Sequence, residues 1–323
     1  MDAMGGDHGP AVSVPAAMAV THRADVVLVG DEGRIRDVAP VGEAGITVHH
    51  AGAQVQPGQS LGEVLRHEPD TSMRQALLLH AEGRVDAVVS AGDTAALMAL
   101  SRSLLHMVSG IERPAICKDL QGVTGPFWML DLGANLACTP TQLEQFARMG
   151  AAAARQLGGI GEPRVALLNI GTEARKGPEE LRAAAALLEA AEDIDYRGFI
   201  EASAVFSGNA DVVVTEGFTG NVALKAIEGA ARMAGHLLQR WMASLNPLEQ
   251  AALRVTRGKL GALRHELNPQ RYNGASFIGL AGVVVKSHGS ADVDGFTSAI
   301  DEALLEVAGR LPDRLVADFR GRA

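Results

Sequence analysis

Five times along this chain an apolar, strand-like run ends in glycine and small polar residues. The junctions are Val88-Val89-Ser90-Ala91-Gly92-Asp93-Thr94, Leu130-Asp131-Leu132-Gly133-Ala134-Asn135, Leu167-Leu168-Asn169-Ile170-Gly171-Thr172, Val213-Val214-Thr215-Glu216-Gly217-Phe218-Thr219-Gly220-Asn221 and Val284-Val285-Lys286-Ser287-His288-Gly289-Ser290. Parallel α/β sheets carry their ligand sites at the carboxyl ends of the strands. Glycine there lets backbone N–H groups come close to a ligand, and the positive end of a following helix favours an anion. Repeated five times, the pattern points to an α/β fold with a crevice suited to a small oxyanion.

The rest of the chain alternates between strand and helix signals. Strands are expected at 25–29, 46–49, 85–90, 127–132, 164–170, 211–215 and 277–286. Most are short continuous apolar runs, as in parallel strands covered on both faces. The clearest helix start is Thr139-Pro140-Thr141-Gln142: threonine caps, proline suits the first turn, and glutamine completes a capping box. Leu143, Phe146, Ala147, Gly150, Ala154 and Leu157 then form one buried stripe. At 323 residues and 47% hydrophobic content, with aromatics at only 4%, a large core of small aliphatic side chains follows, read as a single α/β domain over 1–323. No internal repeat or disordered linker interrupts it.

Charge and cysteine content narrow the function classes. A net charge of −9 argues against nucleic acid as a partner. Cys117 and Cys138 stand far apart and outside CxxC spacing, which excludes a cysteine-built zinc site or disulfide framework and fits a reducing cytoplasm. No run approaches the roughly 18 apolar residues of a membrane span, and the polar, glycine-rich amino terminus lacks a signal-peptide pattern.

One segment departs from the acidic background. Residues 232–271 hold seven Lys/Arg (Arg232, Arg240, Arg254, Arg257, Lys259, Arg264, Arg271) against Glu249 and Glu266. The overall −9 and this +5 leave −14 elsewhere. Met233, Leu237 and Trp241 recur at helical spacing, Asn246-Pro247 breaks the pattern, and a second helix is expected over about 248–265. A hairpin over about 232–267 results. It reads equally as a dimer contact with solvated charges and as a basic surface for an acidic protein or an anionic membrane, with Arg240, Trp241, Arg254, Arg257, Lys259 and Arg264 as contact residues.

Several side chains at the junctions fit anion chemistry. Asn221 and Lys225 share a helix face just after Gly217 and Gly220. Lys286 and His288 share a face at a strand end; a lone histidine there is more often structural. Lys176-Gly177 follows the Asn169–Gly171 junction, where a solvated loop lysine is an equally good reading. Gly5-Gly6-Asp7-His8 forms either a polar loop over a ligand or, more simply, a flexible terminus. Gly58-Gln59-Ser60-Leu61-Gly62 matches the GxSxG pattern, but its lead-in is a poor strand for a nucleophile elbow. No GxGxxG, P-loop or HExxH occurs, and the dispersed acids demand no metal.

In order and spacing, Asp2-Ala3-Met4-Gly5-Gly6-Asp7-His8, Ser90-Ala91-Gly92, Asp131-Leu132-Gly133-Ala134-Asn135, Leu168-Asn169-Ile170-Gly171, Lys176-Gly177, Gly217-Phe218-Thr219-Gly220-Asn221-Val222 and Val285-Lys286-Ser287-His288-Gly289-Ser290 together resemble the bacterial phosphate acyltransferase (PlsX) family of phospholipid synthesis over nearly the whole chain. The resemblance implies a mostly parallel α/β fold like that of isocitrate and isopropylmalate dehydrogenases. It implies transfer of a long acyl chain from acyl carrier protein to inorganic phosphate, without a cofactor. It also implies a homodimer, cytoplasmic and peripherally bound to an anionic membrane, whose acyl phosphate passes to a membrane glycerol-3-phosphate acyltransferase. Against the family pattern, Met1 directly precedes Asp2, so a first strand is missing or the start lies upstream. Asp93 replaces a usual Asn, Ala95 a usual Gly, and around 199–204 only Glu201 is kept.

The chemistry then needs positioning and charge stabilisation rather than a protein nucleophile. Lys176, Asn221, Lys225 and His288 are expected to be catalytic, with His8 or His288 relaying a proton. Gly5, Gly6, Asp7, His8, Thr94, Asn135, Asn169, Gly171, Glu201, Gly217, Gly220 and Lys286 are expected to surround phosphate or substrate. Cys138 is a possible acyl carrier, although a buried structural thiol is commoner. Two rival readings are a non-catalytic carrier-protein or membrane scaffold and a metal- and NAD-dependent dehydrogenase of similar fold.

Overall fold

The computed structural model describes residues 1–40, 42, 45–56, 58–66, 70–245 and 273–321. Strands β1 (Val26–Gly30) and β2 (Ile46–His50) pair in parallel as a small sheet. A larger sheet holds β3 (Ala87–Ser90), β4 (Ala115–Gln121), β5 (Pro126–Leu130), β6 (Arg164–Asn169), β7 (Asp195–Glu201), β8 (Val212–Val214), β9 (Ala275–Ile278) and β10 (Val283–Lys286). Their spatial order is β3-β10-β9-β4-β5-β8-β6-β7. Both flanks are parallel, β3 with β10 and β5-β8-β6-β7 throughout, while β10-β9-β4-β5 is antiparallel. The helices are α1 (Pro10–Val20), α2 (Glu32–Arg36), α3 (Leu61–Arg66), α4 (Ser72–Ala81), α5 (Thr94–Leu105), α6 (Pro140–Gln156), α7 (Glu179–Glu189), α8 (Gly217–Ser244), α9 (Val293–Ala308) and α10 (Leu311–Phe319).

Two departures from the expected pattern matter. The run 277–286 is not one strand: it splits into β9 and β10, turning at Gly279, whose φ of 99° is a glycine conformation. With the β4–β5 hairpin, this breaks the βα alternation in mid-sheet. Strands β4 and β7 were not anticipated, because Lys118, Asp119 and Gln121 interrupt one apolar run and the other lies at the sheet edge with most of its residues only half-buried.

The core explains the continuous apolar runs. Val212 and Val214 pack with Phe146, Ala147 and Leu315 from α6 and α10. Val213, between them, packs with Leu97, Leu100 and Met129 on the opposite face. A strand covered on both sides has no polar face to alternate with. The capping box forms as expected: Gln142 N–H donates to Thr139 Oγ1 at 3.2 Å, and Thr139 N–H donates to Gln142 Oε1 at 3.1 Å. The small sheet joins the large one through the amino terminus. Asp2 bridges Val29 of β1 in parallel sense, and its N–H donates to the Val89 carbonyl of β3 at 3.0 Å.

Candidate active site

A crevice of about 470 Å³ lies over β4. The three antiparallel steps make β5 and β10 run in opposite directions, and both end beside the middle of β4: Leu130 is in register with Cys117, Cys117 with Ser276, and Lys286 with the adjacent Ala275. On one side stand Leu132 and Gly133 after β5, with Asn221, Leu224, Lys225, Glu228 and Arg232 of α8; on the other stand Thr94, Asn273, Gly274 and Lys286 to Ser290. The α8 residues are spaced as one helix face, so the expected Asn221/Lys225 pair continues into Glu228 and Arg232, which approach each other at 3.9 Å.

Asp131 organises the β5 side. Its carboxylate is fully buried. Oδ1 accepts from Ile116, Gly133 and Ala134 N–H at 3.0, 3.1 and 2.9 Å. Oδ2 accepts from the Asn135 N–H at 2.7 Å and its side-chain amide at 2.9 Å. Burial pushes this carboxyl above the ordinary range, and the bonds from Ala134, Ile116 and Asn135 oppose that. The Asn135 amide donates its other hydrogen to the Pro114 carbonyl at 2.8 Å. Asn135 therefore holds the loop, and it is not among the residues that line the crevice.

The expected roles of several glycines and helix ends change. A side chain at Gly220 would place Cβ 1.8 Å from the Asp131 carbonyl, and one at Gly217 would place it 2.6 Å from the Asn135 carbonyl. These glycines allow the chain to approach itself rather than a ligand. The first turn of α8 is capped from within: Glu216 accepts from Thr219 N–H at 3.0 Å and also from its hydroxyl. Asp93 caps α5 in the same way, accepting from Ala96 N–H at 2.8 Å. That bond gives the Asp93 carboxylate a partner at the start of the helix. With both helix ends capped by carboxylates, the crevice's positive character comes from side chains.

Lys286 supplies one of them. Its ammonium donates to the Ala91 carbonyl at 3.4 Å and to the Ser287 carbonyl. Burial pulls its pKa down to about 8, against the attraction of Asp93, Asp2 and Asp7. His288 is exposed; its Nδ1 lies 2.9 Å from Ser290 Oγ and accepts from Ser290 N–H at 3.2 Å. Its backbone N–H donates to Asn273 Oδ1 at 2.8 Å. Lys225 is exposed at the rim.

The amino-terminal loop closes over the β3 and β10 ends without lining the crevice. Asp2 accepts from Ser72 Oγ at 2.7 Å and Ser90 Oγ at 2.6 Å. Asp7 N–H donates to the Gly289 carbonyl at 2.8 Å. Gly5 and Gly6 pack so closely on Gly92 and Gly289 that an added Cβ would meet them at 2.6 and 2.9 Å. The Asp7 and His8 side chains are exposed.

A second group is separate. Asn169, Gly171, Lys176 and Glu201 gather at the carboxyl ends of β6 and β7, where Asn169 is in register with Glu201. The Asn169 amide donates to the Lys176 carbonyl at 3.1 Å, shaping the 170–177 loop, and Lys176 is exposed. None of the four lines the crevice. Lys118 was missed altogether, since a lysine within an unrecognised strand gave no junction signal; it is buried on the crevice floor. Among the described residues no three His, Cys, Asp or Glu are grouped as a metal site.

On α8 beyond the crevice, Arg240 borders a shallow groove with Met233, His236 and Leu237, and Met233, Leu237 and Trp241 are all at least half-exposed. Arg254, Arg257, Lys259, Arg264 and the expected second helix lie outside the described residues. No described helix is long and apolar enough to cross a membrane.

Solved structures show the fold. A branched-chain phosphotransacylase from Enterococcus faecalis matches with a TM-score of 0.60 at 15% identity, over 94% of this chain and 97% of that one. EutD phosphotransacetylase from Staphylococcus aureus gives 0.58 at 16% identity, over 92% and 91%. A 4-hydroxythreonine-4-phosphate dehydrogenase from Klebsiella pneumoniae gives 0.55 at 17%, over 94% and 96%. The chain thus has the mostly parallel α/β fold that phosphotransacylases share with these dehydrogenases. Its sequence goes further. Residues 1–310 match the family described as "Fatty acid synthesis protein". A phosphate acyltransferase of Alcanivorax borkumensis is 44% identical over 334 residues, covering 100% of this chain and 97% of the relative. One of Pseudomonas aeruginosa is 45% identical over 323 residues, covering 98% and 95%. The chain belongs to the phosphate acyltransferase family, the transferases that make acyl phosphate for phospholipid synthesis.

Proposed function

We propose that this chain moves a long-chain acyl group from the thioester of acyl carrier protein to inorganic phosphate in the crevice over β4. The observation that carries this reading is the convergence of Lys225 and Asn221 from α8 with Lys286 at the end of β10 and His288 just beyond it around one open space. A phosphate oxygen attacks the thioester carbonyl carbon, a C–O bond forms, and negative charge develops on the carbonyl oxygen. The C–S bond then breaks and the thiolate leaves, taking a proton from solvent; with a thiol pKa of about 8.5 it needs no strong acid. Lysine and amide donors that already face the site stabilise the developing charge without reorganising. The edge group of Asn169, Gly171, Lys176 and Glu201 is assigned to substrate contacts outside the phosphate position.

The direct route is favoured over an acyl-enzyme. Cys138 is partly buried, and burial pushes its thiol up to about 12, so little thiolate exists at neutral pH. Cys138→Ala is expected to retain full turnover; a loss of a hundredfold or more with the fold intact would restore the covalent route.

The decisive assay is hydroxylamine trapping of acyl phosphate from purified protein, long-chain acyl carrier protein and phosphate, without added metal or nucleotide. Phosphate-dependent product supports the reading. Carrier binding without product would favour the scaffold reading and overturn it.

Carrier and membrane contact are assigned to the distal half of α8. Exposed Met233, Leu237 and Trp241 recur every four residues beside Arg240, a face suited to an acidic partner with an apolar patch, to an anionic bilayer, or to the same helix of a second copy in a homodimer. Combining Arg240→Glu with Trp241→Ala is expected to weaken binding of acyl carrier protein or of anionic vesicles about tenfold, leaving the urea midpoint unchanged. Unaltered affinity for both would remove the assignment. Acyl phosphate released at a bilayer would reach a membrane-bound glycerol-3-phosphate acyltransferase directly.

A further inference from the structure

Lys118 sits in mid-strand on β4, the central strand under the crevice, on the same face as Ile116. Its side chain is only 8% exposed. A lysine head carries three hydrogen-bond donors. One reaches the Gly274 carbonyl at 2.7 Å; the other two have no acceptor among the described residues. No described carboxylate lies within ion-pair distance of it; Asp119, Glu302 and Glu228 act on it from farther away, and Glu228 lines the same crevice near Arg232. Buried charge is unfavourable unless paired. A buried cation on the floor of a crevice, one bond to a neutral carbonyl and two donors unused, is completed by an anion entering that crevice.

We propose that Lys118 is a ligand-binding residue whose ammonium holds an oxygen of the phosphate acceptor from below, between Lys225 on the α8 side and Lys286 on the β10 side. The inference rests on the phosphate-acceptor reading of the crevice and adds a third cation to it. Burial lowers the pKa of Lys118, against the attraction of Asp119, Glu302 and Glu228; bound phosphate would add a negative charge in direct contact. The competing account is a strut: Lys118 holds Gly274, and Asn273 beside it binds Ser287 Oγ at 2.8 Å and the His288 N–H, so the lysine would act only through the 286–288 turn.

Glutamine separates the two accounts, because its amide can still donate to the Gly274 carbonyl while carrying no charge. Titration calorimetry of the full chain with inorganic phosphate, paired with the melting temperature in its absence, reads both. Lys118→Gln is expected to weaken phosphate binding at least tenfold with the phosphate-free melting temperature unchanged, and Lys118→Arg to stay within about threefold of wild type. Wild-type affinity in Lys118→Gln overturns the proposal. Should that variant fail to fold, Lys118→Met replaces it under the same criterion, and loss of folding in both marks the lysine as a strut and overturns the proposal too. Lys286→Met serves as the control. If wild-type protein binds phosphate and Lys286→Met loses it while Lys118→Gln does not, only the Lys118 inference fails. If wild-type protein binds no phosphate, the phosphate-acceptor reading of the crevice fails with it.

Discussion

Asp131→Ala is expected to cost about 3–5 kcal/mol of stability, the range for removing one partner from a buried charged network. Five N–H groups converge on this carboxylate: those of Ile116, Gly133, Ala134 and Asn135, and the Asn135 amide. Alanine would leave the buried Ile116 N–H and the half-buried donors of Gly133, Ala134 and Asn135 without their acceptor, at up to about 1–3 kcal/mol each where water cannot replace it, although the loop can relax and the terms do not add. Asp131→Asn is the sharper test. It preserves shape, but its amide nitrogen must face either the donors at Oδ1 or those at Oδ2, so a donor meets donors. Asparagine is therefore expected to destabilise by a large part of the alanine effect. The urea midpoint at constant m-value measures both; an Asp131→Asn protein within about 0.5 kcal/mol of wild type would show that the carboxylate's acceptors are dispensable. Activity should fall in parallel, because Gly133 lines the crevice and α8 is seated on the Asp131 carbonyl at Gly220.

That network shows why the sequence was readable in some places and silent in others. The strand ends were legible because β5, β6, β8 and β10 are apolar runs stopped by small polar residues, and burial on both faces leaves such runs uninterrupted. The pairing of Asn221 with Lys225 was legible because helical spacing fixes a shared face. The work of Gly217 and Gly220 was not. A glycine that admits a ligand and one that admits a neighbouring carbonyl look alike until the neighbour's position is known. The same holds for Asn135, whose amide serves Asp131 and Pro114, and for Asp93, a charge that becomes a helix cap. Strand order was out of reach for a different reason. Antiparallel insertion of β9 and β4 depends on contacts between residues some 160 positions apart, such as Cys117 with Ser276, and no local pattern encodes them. Lys118 falls in this class: only the assembled sheet turns a lysine within a polar-looking run into a buried cation under the crevice. Likewise the edge group around Asn169 and Lys176 shares the junction signature yet stands apart, because β8 separates β6 from β5.

Lys286→Met is expected to lower kcat/KM for phosphate by about 10²–10³, the effect typical of removing one preorganised donor from a site of developing negative charge. The binding of acyl carrier protein, proposed for the distal half of α8, should be unaffected. The pH dependence gives a second readout with a definite sign. Burial holds the Lys286 pKa near 8 in the free protein, so its ammonium is present below that pH and is lost above it. Phosphate is mainly dianionic across that range and binds the charged form. Phosphate-limited kcat/KM should therefore fall on the alkaline side of about pH 8, approaching tenfold per pH unit. At saturating phosphate the limb should move upward, because a bound anion favours the ammonium. Lys286→Arg discriminates further: a guanidinium stays charged throughout, so whatever activity it keeps should lose the alkaline limb. A limb that persists unchanged in Lys286→Arg would assign that ionisation to another group and leave Lys286 with only the carbonyls of Ala91 and Ser287 to hold.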